Sequence, residues 1–340
     1  MNLIATHFGT RFYLIFFCLL HVYFDGQSRT AISIMTYNVE NLFDSKDDPD
    51  TDDETYLPRD RKNSPVHKAK CKKIKNFKFR KDCYQLDWNS KTVQRKLKNI
   101  SHVILSVDQG KGPDILILAE VENRAILNQL NHDYLKSAGY KTIALVEGPD
   151  PRGIDVAILS RFPSASSEVL FPLDIVDPEH DRKIKTRGIL KVSLRIMKDK
   201  TFSVFAVHLP SQASPTNVRI QALEQLNQLL KKESDPWIVG GDFNISREED
   251  AYERLLDKYL SNNGGDLAHR TGCEGCQGTH FYKGKWSFLD MLYFSKKGLS
   301  LEASSVDVVG KGAKPKRFSP DKGQGTSDHF PLYARLKVEK

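Results

Sequence analysis

The chain has 340 residues, a formal net charge of +8 and 39% hydrophobic residues. That apolar share supports a core and excludes a disordered chain, and the length allows one large domain or two ordinary ones. The positive balance favours anionic partners: nucleic acid, anionic lipid surfaces or phosphoesters.

At the N-terminus, Arg11 is followed by the apolar run 12–24 and then by the polar stretch Asp25-Gly26-Gln27-Ser28. A positive residue, an apolar segment of that length and a polar exit predict a secretory signal peptide over residues 1–27, and a secreted or periplasmic product. The run is too short to span a bilayer comfortably. Its removal leaves Cys71, Cys83, Cys273 and Cys276. An even number in an exported chain points to two disulfides, and the local pairs Cys71–Cys83 and Cys273–Cys276 are the expected ones among three possible pairings. The rival reading of the C-x-x-C, half a zinc site, lacks a second C-x-x-C or a nearby H-x-x-x-H.

Residues 32–39 read as a strand. Residues 44–98 turn acidic (DSKDDPDTDDE) and then basic (KAKCKKIKNFKFRKDC), with few apolar runs, and are expected as a surface insertion pinned by Cys71–Cys83. Within 90–107 the residues Val93, Leu97, Ile100 and Ile104 recur at helical spacing. Ile115 to Ala119 is a continuous apolar run, the pattern of a strand buried on both faces. A helix over 124–138 follows, then strands over 154–159, 188–195 and 202–208. Residues 218–232 carry helical spacing again, 237–241 a strand, 248–260 a helix, and 287–294 and 332–338 the last strands. Strands and helices alternate without a repeat or a long linker, which predicts one α/β domain over residues 28–340.

Strand after strand ends on an acid, an amide or a histidine. Asn38 and Glu40 close the first, Glu120 the second, and His208 ends VFAVHLP. Asp242 and Asn244 follow WIVGG, Asp290 sits inside SFLDMLYF, and Asp328 and His329 precede the last strand. Side chains two apart on an extended segment point the same way, so Asn38 with Glu40, and Asp242 with Asn244, can face one site. Singly, each has a plainer reading: Asn and Asp are turn formers, and a strand histidine is commonly a structural hydrogen-bonder. Asp290 between Leu289 and Met291 is less ordinary, because a carboxylate in an apolar strand needs a partner. Together they form the inventory for a hard divalent cation plus acid–base catalysis on a phosphoester.

The ordered set TYNVENLF, ILILAEVEN, GIDVAILSR, VHLPS, GGDFN, FLDMLYF and TSDHFPL resembles the endonuclease/exonuclease/phosphatase superfamily, the DNase I-like fold, over nearly all of residues 33–340. The resemblance implies a four-layer α/β sandwich: two facing mixed sheets flanked by helices, with the site at one edge of the sheets. It implies Glu120 as the main Mg²⁺ ligand, with Mn²⁺ or Ca²⁺ as other candidate ions, and Asn38 beside it. Glu40 stands where many relatives carry Asp and, with Asp328, is a further candidate ligand. Asp242 and Asn244 would orient the attacking water and the scissile phosphate. His329, held by Asp290, would contact phosphate or move a proton. His208 would match the second histidine of DNase- and sphingomyelinase-like members, a candidate general acid. Arg152 and Arg219 are candidate phosphate contacts and Asp155 a weaker one, against the plainer reading of surface charges or structural ion pairs.

Fold does not select among nucleases, sphingomyelinases, inositol-phosphate phosphatases and deadenylases. Export argues against the intracellular members. The basic stretch 68–81 sets Lys and Arg beside Phe77, Phe79 and Tyr84, a pattern that suits a phosphate backbone with bases stacking nearby, or else a solvated loop. The expected activity is an exported, Mg²⁺-dependent endonuclease acting as a monomer on DNA, with RNA as a secondary candidate, and with little sequence preference. The alternatives are an exported sphingomyelinase-like phospholipid phosphodiesterase and a catalytically silent binding protein on the same fold.

Overall fold

In the computed structural model, residues 31–339 are described, and the signal peptide expected at 1–27 lies outside them. Two sheets face each other. In the first, the strands Ala31–Leu42 and Ile115–Val121 run parallel at the centre; Leu332–Val338 flanks one side, and Asp155–Ser160 and Thr142–Ala144 the other. In the second, Trp237–Asp242 pairs in parallel with Lys200–His208 and antiparallel with Asp290–Ser295, and Ile189–Met197 lies beyond.

The period of two in each strand builds the layers. Ile32 and Ile34, Ile115 and Ile117, Val156 and Ile158 face inward against Phe202, Val204, Ile238, Leu292 and Phe294 of the other sheet. The alternate residues Met35, Tyr37, Leu116 and Leu118 face outward and pack on Val93, Leu97, Ile100 and Ile104 of the helix Ser90–Ile104. On the far side Phe205, Val207 and Val239 pack on Val218, Leu223, Leu226 and Leu230 of the helix Thr216–Lys231. The result is the four-layer α/β sandwich. Among the described residues no helix is long and apolar enough to cross a membrane.

Residues 44–98, expected as one surface insertion, are divided by the structure. Residues 90–98 belong to the helix packed on the first sheet, where Val93 and Leu97 are buried. Tyr56 stacks on Phe43 at 4.0 Å and meets the Trp88 ring edge-on, so both ends of the segment are fastened to the sheet. Between them, the helices Pro65–Lys73 and Phe77–Gln85 are joined by the Cys71–Cys83 disulfide. Cys273 and Cys276 form the second bridge.

Candidate active site

At one end of the sandwich the inward-facing apolar rows give way to polar side chains. Stepping by two past Ile34 reaches Asn38; past Ala206, His208; past Ile238, Asp242; and one step before Leu292 on the same face stands Asp290. Both sheets contribute, so residues distant in sequence converge. The register pairs Asp242 with His208 on one side and with Asp290 on the other. Glu120 joins them through a break in the ladder: the register shifts between Ala119 and Val121, and Glu120 has φ +65°.

Backbone strain collects here. Glu40, Asn41 and Asn244 also have positive φ, at 51°, 56° and 53°. Such conformations cost about 1–3 kcal/mol each for non-glycine residues. Side chains of the site hold them: Glu40 N–H donates to Asn38 Oδ1 at 2.9 Å, Asn41 N–H to Glu120 Oε2 at 2.9 Å, and Asn244 N–H to Asp242 Oδ1 at 2.8 Å. The two glycines before Asp242 answer to space. A Cβ on Gly241, at φ +145°, would stand 1.8 Å from the Val207 carbonyl oxygen, and one on Gly240 would stand 2.5 Å from Ile117 Cδ1 across the core.

The side chains form a connected network. Asn38 Nδ2 donates to Glu120 Oε1 at 3.2 Å and to Asp242 Oδ2 at 3.0 Å. His208 Nε2 lies 3.8 Å from Glu120 Oε1 and 3.7 Å from Asp242 Oδ2. His329 Nε2 approaches the same Asp242 oxygen at 3.9 Å, while its Nδ1 is bonded to Asp290 Oδ2 at 2.7 Å. Asn244 Nδ2 donates to the Leu209 carbonyl at 3.0 Å.

Electrostatics separates the two histidines. Burial, then the charges of Arg187 and Arg152, pushes His208 well below its usual range, so it is neutral. Burial opposes charge on His329 too, but Asp290, Asp242 and Asp328 outweigh it and raise His329 well above its usual range. Burial lifts the Asp242 carboxyl to about 7, with His329 pulling down and Asp290 pushing up. The site therefore holds a cationic imidazolium, a neutral imidazole and a carboxylate titrating near neutrality.

Residues 33–80 and 76–322 match the model of the endonuclease/exonuclease/phosphatase family. The chain belongs to that family. No curated protein matches it in sequence. Among solved structures, an endonuclease/exonuclease/phosphatase from Beutenbergia cavernae superimposes with a TM-score of 0.59 at 17% identity, covering 92% of this chain and 72% of that one. TDP2 from D. rerio, complexed with a single-strand DNA product, gives 0.57 at 16% identity, covering 91% and 100%. A mannosyl-6-phosphatase from Bacteroides thetaiotaomicron gives 0.52 at 14% identity, covering 90% and 99%. At these identities the likeness establishes the fold.

The family's members are generally divalent-metal dependent, and the donor set here fits such an ion at Glu120. Its carboxylate is 17% exposed, and among the described residues no lysine or arginine is ion-paired with it. Hard oxygens on a strained strand end, with solvent access, suit Mg²⁺, which keeps several waters. Glu40 and Asp328, the other expected ligands, are differently engaged: Arg317 bridges them, pairing with Glu40 and, at 2.5 Å, with Asp328 Oδ2. One Glu40 oxygen is buried without a partner, and burial, then Asp328, pushes the Glu40 carboxyl up to about 7.

Arg219 is a correction. Its side chain is buried; it pairs with Glu249 at 2.5 Å and donates to the Ser211 and Ser214 carbonyls at 2.7 and 3.0 Å. Its Nη1 serves the loop after His208 and its Nε and Nη2 serve Glu249, so every guanidinium nitrogen is engaged within the fold. Asp155 is likewise turned to the Gly148 N–H at 2.9 Å. Arg152 is half-exposed and pairs with Asp150, which also takes Arg187 at 2.8 Å. Arg187, Arg317 and Lys96 were missed by sequence reasoning. Lys96, fully buried, donates to the Glu40 and Thr326 carbonyls at 2.8 and 2.6 Å, tying the end of the first strand to the loop before the last. It lies three residues from Val93 on the apolar face of its helix, a signal that could have exposed it. Arg187 stands two residues before the strand Ile189–Met197, and Arg317 sits in a lysine-rich loop; neither carried a signal.

Proposed function

We propose that this chain is an exported, divalent-metal-dependent phosphodiesterase that cuts nucleic acid internally with little sequence preference. The observation that carries the reading is the convergence of Glu120, Asn38, Asp242, His208 and the Asp290–His329 pair at one end of the two sheets. A Mg²⁺ held at Glu120 supplies charge relief at the non-bridging phosphate oxygens, with Mn²⁺ or Ca²⁺ as other candidate ions.

Phosphodiester hydrolysis needs a positioned water, a stabilised phosphate and a proton for the leaving oxygen. Asp242 is the group to orient and deprotonate the water, since its carboxyl titrates near 7 and Asn38 and Asn244 fix both its oxygens. His329, kept cationic by Asp290, contacts the phosphate and has a proton to give. His208, neutral, lines the same gap as a hydrogen-bond partner. Arg152, at the edge, is the remaining candidate for a flanking phosphate.

Nucleic acid is favoured over lipid by the distribution of charge. Residues 64–86 carry eight Lys and Arg against the single Asp82, a formal +7 within a chain of net +8. Phe77 and Phe79 on the same unit are 73% and 58% exposed. Two positions apart on a helix they point about 200° apart, which suits separate stacking platforms beside phosphate-binding cations rather than one bilayer-inserting face. The unit stands at the site's end of the fold, through Phe43 and Tyr56. Incubation with supercoiled plasmid, single-stranded oligonucleotide and sphingomyelin vesicles, each with Mg²⁺ or EDTA, tests the reading. Metal-dependent cleavage of the nucleic acids is expected; phosphocholine release with intact nucleic acid would replace it with the sphingomyelinase-like alternative.

A further inference from the structure

Between Glu40 and Asp328 the site already holds a positive charge. Arg317 Nη1 pairs with Glu40 Oε1, and Nη2 with Asp328 Oδ2 at 2.5 Å. The two carboxylate side chains are only 12% and 20% exposed, and they act on each other as like charges. Glu40 Oε2 is buried with no hydrogen-bond partner. Carboxylates that reach the two terminal nitrogens of one guanidinium stand close enough to share one cation, and without a counter-charge their burial is costly.

Neither carboxylate depends on Arg317 for its position. Glu40 is fixed by its N–H on Asn38 Oδ1 at 2.9 Å and by Lys96 Nζ on its carbonyl at 2.8 Å. Asp328 lies between Ser327, whose hydroxyl donates to the Asn38 carbonyl at 2.7 Å, and His329, whose N–H donates to that hydroxyl at 3.0 Å. A separate, tightly built loop delivers the arginine. Thr326 N–H donates to the Lys316 carbonyl at 2.9 Å and Ser319 N–H to the Gln324 carbonyl at 2.8 Å. Asn99 Nδ2 reaches the Gly323 and Gly325 carbonyls at 3.0 and 2.8 Å. Phe318, the next residue, meets the Trp88 ring edge-on at 5.8 Å and carries Lys96 Nζ over its face at 5.3 Å. The guanidinium is therefore held in advance. Its side chain is 58% exposed, and of its five N–H donors the two ion pairs need two. Asp328 Oδ1 lies 4.0 Å from His329 Nε2, which sets Arg317 beside the phosphate position assigned to His329.

Resting on the phosphodiesterase reading, we propose that Arg317 takes the part of a second divalent cation: it fills the place between Glu40 and Asp328 and presents its remaining N–H groups to the scissile phosphate. A planar guanidinium fork matches phosphate oxygens in pairs. Charge fixed in advance at a reacting phosphate needs no rearrangement at the moment of reaction. The protein then carries one divalent ion, at Glu120, rather than two.

The test counts Mn²⁺ bound to chelator-stripped full-length protein, read from the loss of the free-ion paramagnetic resonance signal. The parent should bind one ion, Arg317→Ala two, Glu120→Gln none, and the double variant one. Two ions in the parent, or no ion gained when Arg317→Ala is added to either background, overturns the proposal. An ion gained by Arg317→Ala over a parent that binds none supports it and removes the Glu120 site instead, so the two failures are distinct. Arg317→Gln repeats the count should the alanine protein fail to fold. Turnover of bis(p-nitrophenyl) phosphate, at a metal concentration that fills only the first ion, should fall by about 10²–10³-fold in Arg317→Ala. Arg317→Lys, which keeps the charge and loses the fork, should bind one ion and recover part of the rate. A parent-like rate in Arg317→Ala overturns the phosphate contact.

Discussion

Gly241→Ala is the perturbation that couples stability and chemistry most directly. The new Cβ would stand 1.8 Å from the Val207 carbonyl oxygen, on the neighbouring parallel strand, at a φ of +145°. The obstacle is backbone, so no rotamer change relieves it. Overpacking of this kind costs about 1–3 kcal/mol and the glycine-only conformation about 1–3 more, or about 2–6 kcal/mol together. At about 2 °C per kcal/mol for a chain of this size, the melting temperature should fall by about 4–12 °C. Relief requires the strands to part beside the Asp242–His208 register pair, where the two side chains stand 3.7 Å apart. A displacement of about 1 Å there should lower kcat by about 10²-fold. Gly240→Ala is the control: its Cβ meets the end of the Ile117 side chain, which can move, and should cost about 1–3 kcal/mol with near-normal kcat. Differential scanning calorimetry and turnover of bis(p-nitrophenyl) phosphate read both effects. A Gly241→Ala protein as stable and active as the parent, or a Gly240→Ala protein that is the worse of the two, refutes the reasoning.

Asp290→Asn removes the carboxylate that keeps His329 charged, leaving burial to lower its pKa. The rate should drop by about 10²–10⁴-fold and the alkaline limb of the pH–rate profile should move to lower pH. Because the folded-state pKa of His329 is raised, its contribution to stability is full below about pH 6.5 and is lost as pH rises through the folded value. Denaturant titrations of parent and variant should therefore differ most in acid and converge in alkali; the opposite order would reject the pairing. Arg219→Ala leaves the largely buried Glu249 without its ion-pair partner, with the Thr216 hydroxyl still donating to it, and should destabilise by about 3 kcal/mol. Measured below its melting transition, it should keep the parent's KM for oligonucleotide; a raised KM with normal stability would restore the substrate-contact reading. Phe77→Ala with Phe79→Ala should weaken single-strand binding about tenfold or more in fluorescence anisotropy, at about 1–3 kcal/mol per stacked base, while sparing turnover of the small diester.

The fold was legible because each central strand states its face in alternation, and because its polar residues fall where the inward row ends. Asn38, His208, Asp242 and Asp290 are such row ends, and the structure brings them together with Glu120 and His329. Glu120 escapes simple alternation, since the bulge that aims it depends on the neighbouring strands. Arg219 misled because helix spacing does not tell where a guanidinium's five donors go; here backbone carbonyls and Glu249 take them. The acidic run was read as surface because charged runs are normally solvated. Most of it is solvated, but Asp53 and Glu54 turn inward just before Tyr56, whose stacking on Phe43 and edge-on contact with Trp88 no local pattern announces. Arg317 was illegible for a related reason: one arginine among lysines reveals its role only when the loop returns it to Glu40 and Asp328.

The proposed function requires one site, built from both sheets, to hydrolyse nucleic acid with a divalent cation. A direct test is nicking of supercoiled plasmid by the purified protein, by Glu120→Gln and by His329→Ala, each with Mg²⁺ and with EDTA. Mg²⁺-dependent conversion to open circles by the parent is expected, abolished by EDTA and reduced at least 10³-fold in both variants. Parent-like nicking in both variants, or nicking that survives EDTA, would contradict it.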